Sequence, residues 1–251
     1  MNKYVKSGLK IAGCITAFAA VTAGVAFVAE RIEELKNYGK ELRHKPYGVY
    51  ERFVKRPLDC FLSTGALIVL SPVLAATALF VRIKLGSPVL FKQERPGKDE
   101  KTFMLYKFRS MTNEMDQEGN LLPAKDRLTR FGKKLRSTSL DELPELLNII
   151  RGDMSIVGPR PLLVKYLPLY NKHQRKRHLV RPGLTGYAQA NGRNSLSWEQ
   201  KFDMDVEYVK NVTFLGDLKI ILQTVSAVLK RKGIGGKEEL ILGEFKGSKG
   251  E

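Results

Sequence analysis

Uncharged residues form one long run near the start of the chain, at positions 11–29. A helix of that length reaches about 28 Å, close to the thickness of a bilayer core. Lysines precede the run, as in a cleaved signal peptide. Basic residues are more numerous after it, between positions 31 and 56, than before it. Because the more basic flank stays in the cytoplasm, the pattern predicts a transmembrane anchor.

A second uncharged run extends from Cys60 to Val81 and is interrupted by Ser71 and Pro72. Basic residues flank it on both sides, so a single crossing would place one basic flank outside. A re-entrant helix over 57–84, bent at the Ser-Pro pair, keeps both flanks in the cytoplasm. Proline removes a backbone donor, and the serine hydroxyl can occupy the freed carbonyl. The alternative is an ordinary kinked transmembrane helix.

From Gly86 onward the pattern is that of a water-facing domain. Strands are predicted at 87–91 and 101–108, with a turn at 96–99 and a later loop at 116–123. The segments with helical periodicity are 124–135, 142–150, 162–178, 197–210 and 216–231. The last helix has an apolar stripe that we interpret as core rather than as a membrane-interface face. The stripe consists of Leu218, Ile221, Leu222, Val225, Val228 and Leu229. These elements predict an α+β fold of mainly helical content.

The chain is strongly basic. The chain has 43 Lys and Arg against 26 Asp and Glu, a net charge of +17. Such an excess suits nucleic acid, an anionic membrane surface or phosphorylated substrates. The two apolar runs and the scarcity of aromatic-basic motifs disfavour a nucleic-acid binder. Cys14 and Cys60 both lie in apolar runs, which gives no disulfide framework and no zinc spacing.

Candidate chemistry concentrates in residues 134–161, where Asp141 and Glu142 are adjacent. Ser139 and Glu142 fit a helix capping box, which is the structural alternative. Pro144 spoils that simple box because it lacks an N–H. Arginines flank the pair, and carboxylates beside arginines at a helix start suggest a site for a phosphorylated substrate and a metal.

Other motifs are weaker. The chain has no Walker loop, no G-x-G-x-x-G and no serine nucleophile elbow. His173 and His178 lie in a basic helical stretch and are interpreted as surface residues. Asp203 and Asp205 form a D-x-D, as in metal-dependent glycosyltransferases, but within a helical pattern; Asp205 alone remains a candidate to line the site.

Several motifs in this order resemble the bacterial sugar transferase family, the small monotopic polyprenyl-phosphate phosphoglycosyl transferases. Besides residues 134–161, they are Phe91-Lys-Gln-Glu-Arg-Pro-Gly97, Tyr106-Lys-Phe-Arg-Ser-Met111, Arg127-Leu-Thr-Arg-Phe-Gly132 and Arg181-Pro-Gly-Leu-Thr-Gly-Tyr-Ala-Gln-Ala-Asn-Gly-Arg-Asn194. The resemblance covers residues 50 to 235. It predicts a catalytic domain there, after an anchor and linker at 1–49 and before a C-terminal tail at 236–251.

The resemblance implies a specific reaction. Asp141 would attack the β-phosphate of a UDP-sugar, giving an aspartyl-phosphosugar and UMP, and polyprenyl (undecaprenyl) phosphate would then accept the phosphosugar. A diphosphate repels a carboxylate, so a divalent cation is needed, and Glu142 is predicted to hold Mg²⁺. Such a reaction is the first membrane step of a bacterial glycan such as an exopolysaccharide. The catalytic domain is expected at the cytoplasmic face of the cell membrane.

Further residues are predicted to bind substrate. Arg136 is placed to meet a phosphate of the acceptor or of a lipid headgroup. Arg160 is held extended between its prolines, which suits either a phosphate or a structural salt bridge. Arg181 and Arg193 are candidates for the nucleotide diphosphate or uridine, with a surface-loop role as the alternative. The full substrate-binding set is Arg136, Pro159, Arg160, Pro161, Arg181, Arg193 and Asp205.

Two other functions fit parts of the sequence: a non-catalytic membrane scaffold for a glycan assembly complex, and a D-x-D metal-dependent glycosyltransferase. The intact Asp141-Glu142 pair argues against the scaffold, and an assay of UMP release distinguishes the scaffold from the phosphoglycosyl transferase. The sequence leaves open the sugar, the glycan pathway, whether a homo-oligomer forms and the purpose of the N-terminal helix.

Overall fold

The computed structural model describes residues 44–192, 196–229 and 243–248. The anchor predicted at 11–29 and the candidate Arg193 lie outside these residues and stay predictions. The α-helices are α1, Lys55–Val69; α2, Ser71–Leu85; α3, Ala124–Arg127; α4, Arg130–Ser137; α5, Glu145–Arg151; α6, Lys172–Arg175; α7, Tyr187–Asn191; α8, Trp198–Lys210; and α9, Phe214–Leu229. The strands are β1, Leu90–Pro96; β2, Thr102–Phe108; β3, Ser155–Val157; and β4, Gly183–Thr185. The predicted mainly helical fold with a short hairpin is confirmed.

Helices α1 and α2 form one bent pair. Among the described residues no single helix is long and apolar enough to cross a bilayer, whereas Tyr50–Val69 and Ser71–Leu85 reach that length and composition together, across a 64° bend. The break is where the Ser-Pro pair predicted it. Pro72 has no N–H for the carbonyl of Ile68, and the Ser71 hydroxyl donates to that carbonyl at 2.7 Å instead. The bend therefore leaves this carbonyl satisfied.

The hairpin of β1 and β2 is antiparallel, with Leu90 opposite Phe108 and Pro96 opposite Thr102. The first strand begins later than predicted, after a cis peptide bond between Ser87 and Pro88. Buried Asn148 of α5 pairs with the free edge of β2. Its side chain accepts from the N–H of Tyr106 at 3.1 Å and donates to the carbonyl of Met104 at 2.8 Å. One amide side chain thereby fixes α5 against the hairpin.

A second, parallel pair of strands, β3 and β4, was not predicted from the pattern. Each strand has three residues, too few for a periodicity to show. Gly183 explains the pairing, because a Cβ there would lie 2.1 Å from the nitrogen of Gly158. Its own N–H donates to the carbonyl of Pro159 at 3.0 Å. The loop that follows β3 is therefore held directly against β4.

The single helix predicted over 162–178 is wrong. The chain forms a 3-10 turn at Val164–Leu169, helix α6, and a second 3-10 turn at Lys176–Leu179. Pro168 interrupts the first turn, and the side chain of Asn171 caps α6 by accepting from the N–H of Gln174 at 2.9 Å. The helix predicted over 124–135 is likewise divided into α3 and α4, because Thr129 begins a new helix by capping Gly132.

Two burial predictions also need correction. Half of the stripe on α9 is exposed, since Leu218, Leu222 and Val225 keep 41–61% of their surface, while Ile221 packs against the core. The neighbouring face supplies the core, where Ile220 packs with Val157, Val180, Tyr208, Val209 and Val212.

The prediction that His178 lies at the surface is also wrong, because His178 is 5% exposed. Burial and the nearby Arg177 lower the pKa of His178 to about 3, so it is a neutral core residue.

A buried polar network joins α1 to the C-terminal helices. The carboxylate of Asp217 on α9 accepts from Tyr50 at 2.8 Å, from Lys55 at 2.5 Å and from Tyr208 at 2.8 Å. The Tyr208 hydroxyl also contacts the carbonyl of Val157. The bent helix pair is therefore tied to the rest of the domain by polar contacts rather than by apolar packing alone.

Candidate active site

A sharp turn precedes the Asp141-Glu142 pair. Helix α4 ends and Ser139 takes a left-handed conformation, with φ 55° and ψ 16°. A non-glycine residue there costs on the order of 1 kcal/mol, and such residues cluster at functional sites. The side chain of Ser139 makes no capping hydrogen bond, so the capping-box alternative is wrong. Residues Leu140–Glu142 form a 3-10 turn, and α5 begins after Pro144.

Asp141 lies at the centre of this turn and is 7% exposed. Among the described residues, its Oδ1 atom has no hydrogen-bond partner. Burial and the repulsion of Glu142 raise its pKa to about 6, while Lys107, Arg136 and Arg160 act in the opposite direction. A desolvated carboxylate without a partner is energetically unfavourable, which makes it a strong candidate for a reacting group.

Glu142 has the opposite environment. Its Oε1 atom lies 2.7 Å from the ammonium of Lys107 and 2.8 Å from Nη2 of Arg160. Burial acts to raise the pKa of Glu142, but the two cations outweigh it and lower the pKa. Lys107 also lies 3.0 Å from buried Glu145, whose pKa is raised by its burial. Adjacent carboxylates with opposed pKa shifts are typical of sites where each has a different role.

The Pro159-Arg160-Pro161 loop reaches the site from the far end of β3. Its backbone is held by Arg177, which donates to the carbonyl of Arg160 at 2.7 Å. Arg177 in turn forms a buried ion pair with Asp205 at 2.7 Å. The Arg160 side chain remains 45% exposed although it pairs with Glu142. A guanidinium has five N–H donors, so Arg160 retains donors that can face a phosphate.

The other predicted residues differ in the groups that they contact. Arg136 acts on the pKa of Asp141, and its Nε donates to the Ser110 hydroxyl at 2.9 Å. Arg181 donates to the carbonyl of Gly152 at 2.8 Å, at the C-terminus of α5. Asp205 occupies its buried pair with Arg177. Arg193 lies outside the described residues.

The two carboxylates of the D-x-D have separate surroundings. The Asp203 side chain is 69% exposed and accepts from His173, whereas that of Asp205 is 6% exposed and pairs with Arg177. In the part of the chain that the structure describes, no group of three or more His, Cys, Asp or Glu residues is arranged to hold a metal ion. These contacts argue against a D-x-D metal centre.

Lys107, Glu145 and Arg177 were not singled out from the sequence. For Lys107 the signal existed: it is two residues from buried Leu105 on β2, so alternation places it on the inward face. A charged residue on an apolar face needs a partner, and Glu142 and Glu145 supply it. Arg177 gave no comparable signal, because the sequence pattern predicts one continuous helix over 162–178.

The donor set fits a magnesium ion that is shared with a substrate. Mg²⁺ takes one or two carboxylates and completes its shell with water and phosphate oxygens. Asp141 offers a buried oxygen with no hydrogen-bond partner in the described part of the chain, and Glu142 is kept ionised by its lowered pKa. The arrangement therefore combines a buried carboxylate, an ionised neighbour and two arginines of the kind that bind phosphate groups.

The fold and the site define a class of protein: the chain matches the bacterial sugar transferase family over residues 50–231 and belongs to that family. The resemblance predicted from the motifs is confirmed. The chain is 52% identical over 195 residues to the uncharacterized sugar transferase EpsL of Bacillus subtilis (strain 168). That similarity covers 78% of this chain and 96% of the relative.

Two longer relatives have more specific names. The chain is 38% identical over 206 residues to the UDP-glucose:undecaprenyl-phosphate glucose-1-phosphate transferase of Escherichia coli (strain K12), covering 78% of this chain and 44% of that relative. It is 35% identical over 186 residues to the UDP-N-acetylgalactosamine-undecaprenyl-phosphate N-acetylgalactosaminephosphotransferase of Aeromonas hydrophila, covering 70% and 44%. The chain thus spans less than half the length of these two relatives.

Proposed function

We propose that this protein transfers a sugar 1-phosphate from a UDP-sugar to polyprenyl phosphate, releasing UMP, through a covalent intermediate on Asp141. The observation that carries the proposal is the buried Asp141 carboxylate, whose Oδ1 lacks a partner among the described residues. Relatives named as undecaprenyl-phosphate sugar phosphotransferases support the reaction class and both substrates. The sugar itself is left open, because these two relatives are named for different sugars.

The chemistry balances as two displacements at one phosphorus atom. An Asp141 oxygen forms a bond to the β-phosphorus of the UDP-sugar, and the bond from that phosphorus to the bridging oxygen breaks. UMP leaves with the bridging oxygen. An oxygen of polyprenyl phosphate then attacks the same phosphorus and restores the Asp141 carboxylate. Splitting the transfer in this way means that the soluble donor and the lipid acceptor need not be bound together.

The arginines and Glu142 are assigned supporting roles. Arg160 pairs with Glu142 through Nη2 and keeps 45% of its side chain exposed, and it is assigned to the donor diphosphate. Arg136 is assigned to the acceptor phosphate, with a lipid headgroup as the alternative. Glu142 is assigned to hold Mg²⁺, which when bound neutralises phosphate charge and stabilises the leaving UMP. Lys107 and Arg160 keep Glu142 ionised for that role.

The membrane assignment rests on the bent helix pair. Large apolar side chains on it are exposed to the surroundings, including Phe61, Ile68, Val69, Leu79 and Ile83. Such a surface is disfavoured in water and suits lipid. We propose that the pair enters and leaves the same leaflet, with the catalytic domain on the cytoplasmic face. The basic residues on both sides of the pair support this orientation.

Trapping the intermediate tests the function. With UDP-sugar and Mg²⁺ but no acceptor, the enzyme should release about one UMP per active site, and its mass should rise by one sugar phosphate. The adduct should map to the peptide that contains Asp141. The Asp141→Asn variant should show neither event, because an amide is a far poorer nucleophile. Full activity with acceptor, without any burst or adduct, favours direct transfer and contradicts the covalent route.

Thiol labelling tests the topology. In a chain with Cys14 and Cys60 replaced by serine, single cysteines are introduced at Tyr47 or Phe91, two exposed positions on opposite sides of the pair. Both should be protected from an impermeant reagent added outside intact cells. Labelling of only one of them would show a true crossing.

A further inference from the structure

The C-terminal residues 243–248 pack against the catalytic domain although they lie beyond the matched family region, which ends at residue 231. Phe245 is only 4% exposed. Its ring lies 5.0 Å from that of Phe202, 5.6 Å from Trp198, 5.7 Å from Tyr170 and 5.8 Å from Tyr166, measured between centroids. A phenylalanine buried among four rings is an anchor, since aromatic pairs add to the energy of burial.

Polar contacts fix the segment on both sides of that anchor. The indole Nε1 of Trp198 donates to the carbonyl of Gly243 at 3.0 Å. The side-chain amide of Gln174 donates to the Ser248 hydroxyl at 2.5 Å. Gln174 is itself 3% exposed and is part of the cap of α6. The segment is therefore bound by a specific groove rather than adsorbed on an apolar surface.

The floor of this groove continues to the active site. The guanidinium of Arg177 lies 5.6 Å from the centre of the Phe202 ring and 5.9 Å from that of Tyr170. The same guanidinium holds the carbonyl of Arg160 at 2.7 Å, and Arg160 pairs with Glu142 at 2.8 Å. Two ring contacts and two polar contacts thus separate Phe245 from the Asp-Glu pair.

We propose that residues 243–248 are an intramolecular peptide ligand, and that Phe245 is a positioning residue which keeps Arg177 and the Arg160 loop in their catalytic arrangement. The inference rests on the proposed function, because its readout is transfer. Removing Phe245 leaves a gap among rings that support Arg177, so the loop gains freedom where the phosphates must be aligned. Alignment errors of about 1 Å can cost as much as a hundredfold in rate.

The first experiment uses full-length variants. Phe245→Ala should lower kcat for UMP release by about tenfold or more, with partial recovery in Phe245→Leu. Glu207→Gln is the matched control, because Glu207 lies at an exposed position of α8, outside the bound segment. Its kcat for UMP release should equal that of the unmodified protein. An unchanged kcat in Phe245→Ala overturns the proposal.

The second experiment separates positioning from damage to the core. A synthetic peptide of residues 241–251 is added to the full-length Phe245→Ala protein. Trp198 is the only tryptophan in the chain, so its emission reports the state of the groove. The emission should shift to longer wavelength in the variant and return with the peptide, and kcat should return with it. A peptide that itself carries Phe245→Ala should do neither.

Each outcome is decisive. A loss of kcat that the peptide does not restore, at concentrations that restore the Trp198 emission, overturns the positioning role. Activity of the unmodified protein that falls on dilution would mean that the segment comes from a second copy, which overturns the intramolecular assignment. Failure of the proposed function is distinguished by the unmodified protein, which in that case releases no UMP.

Discussion

The ammonium group of Lys107 lies 2.7 Å from a carboxylate oxygen of Glu142 and thereby connects the hairpin to the turn that holds Asp141. The same ammonium lies 3.0 Å from Glu145 on α5. One cation on β2 therefore compensates two acidic side chains that come from consecutive elements. Ion pairs as well as apolar packing therefore hold the hairpin against the turn that contains Asp141.

Lys107→Met should lower kcat/KM for UMP release by about a hundredfold or more, because it removes a charge that keeps Glu142 ionised beside Asp141. Methionine keeps the apolar stem and removes the cation. Lys101→Met, at an exposed position just before β2, is the matched control, and its kcat/KM should be close to that of the unmodified protein. A Lys107→Met enzyme with ordinary kcat/KM would contradict this role.

Asp141→Asn should be inactive and also more stable at neutral pH. The pKa of Asp141 is raised from 3.8 to about 6, so the ionised form weakens the fold above that range and the penalty disappears below about pH 4. A shift of this size corresponds to about 3 kcal/mol as an upper value. Thermal unfolding should show a higher Tm for the variant at pH 7 and little difference near pH 4. Exposed Asp126→Asn should show no such gain.

The pH dependence of kcat/KM should have an acid limb near pH 6, since Asp141 must be ionised to attack. Burial and the charge of Glu142 raise the pKa of Asp141, whereas Lys107, Arg136 and Arg160 lower it. Arg136→Gln removes one of the lowering charges and should move the limb to higher pH. Initial rates of UMP release across that range measure the shift.

Lys133→Gln on the exposed side of the same helix should leave the limb in place. A limb that does not move in Arg136→Gln would show that another group controls the profile.

The double variant Ser71→Ala/Pro72→Ala should straighten the bent helix pair. Alanine at position 72 supplies the N–H that the carbonyl of Ile68 lacks, and the serine hydroxyl that replaces it is removed. A straight helix has the length to cross, so a cysteine at Phe91 should become accessible to an external thiol reagent. Pro57→Ala, in the first turn of α1, is the matched control and should leave Phe91 protected. Protection of Phe91 in the double variant would show that the bend does not depend on this pair.

The sequence predicted those features that follow from a local rule. The Ser71-Pro72 break follows from a missing N–H, and the hairpin follows from alternation and turn residues. The motifs were sufficient to identify the family. Periodicity also predicted a helix at 197–210, where the structure has α8 at Trp198–Lys210.

The features that were missed depend on residues distant in the chain. The parallel pairing of β3 and β4 depends on the close approach of Gly158 and Gly183. The hydrophobic periodicity of the sequence does not indicate this contact. The apolar stripe on α9 was assigned to the core because periodicity identifies an apolar face but not its partner. The path from Asp205 through Arg177 to the backbone of Arg160 joins three segments, and no spacing rule connects them.

The Lys55–Asp217 contact has a consequence for the order in which the protein is made. The two residues are 162 positions apart, and the aspartate is synthesised second. At typical rates of 5–20 residues per second, Lys55 is added to the growing chain roughly 8–30 s before Asp217. During that interval the apolar surface of the bent pair and the Lys55 ammonium are without their final contacts. Because Asp217 lies on α9, the contact that ties α1 to the C-terminal helices can form only after α9 has been translated.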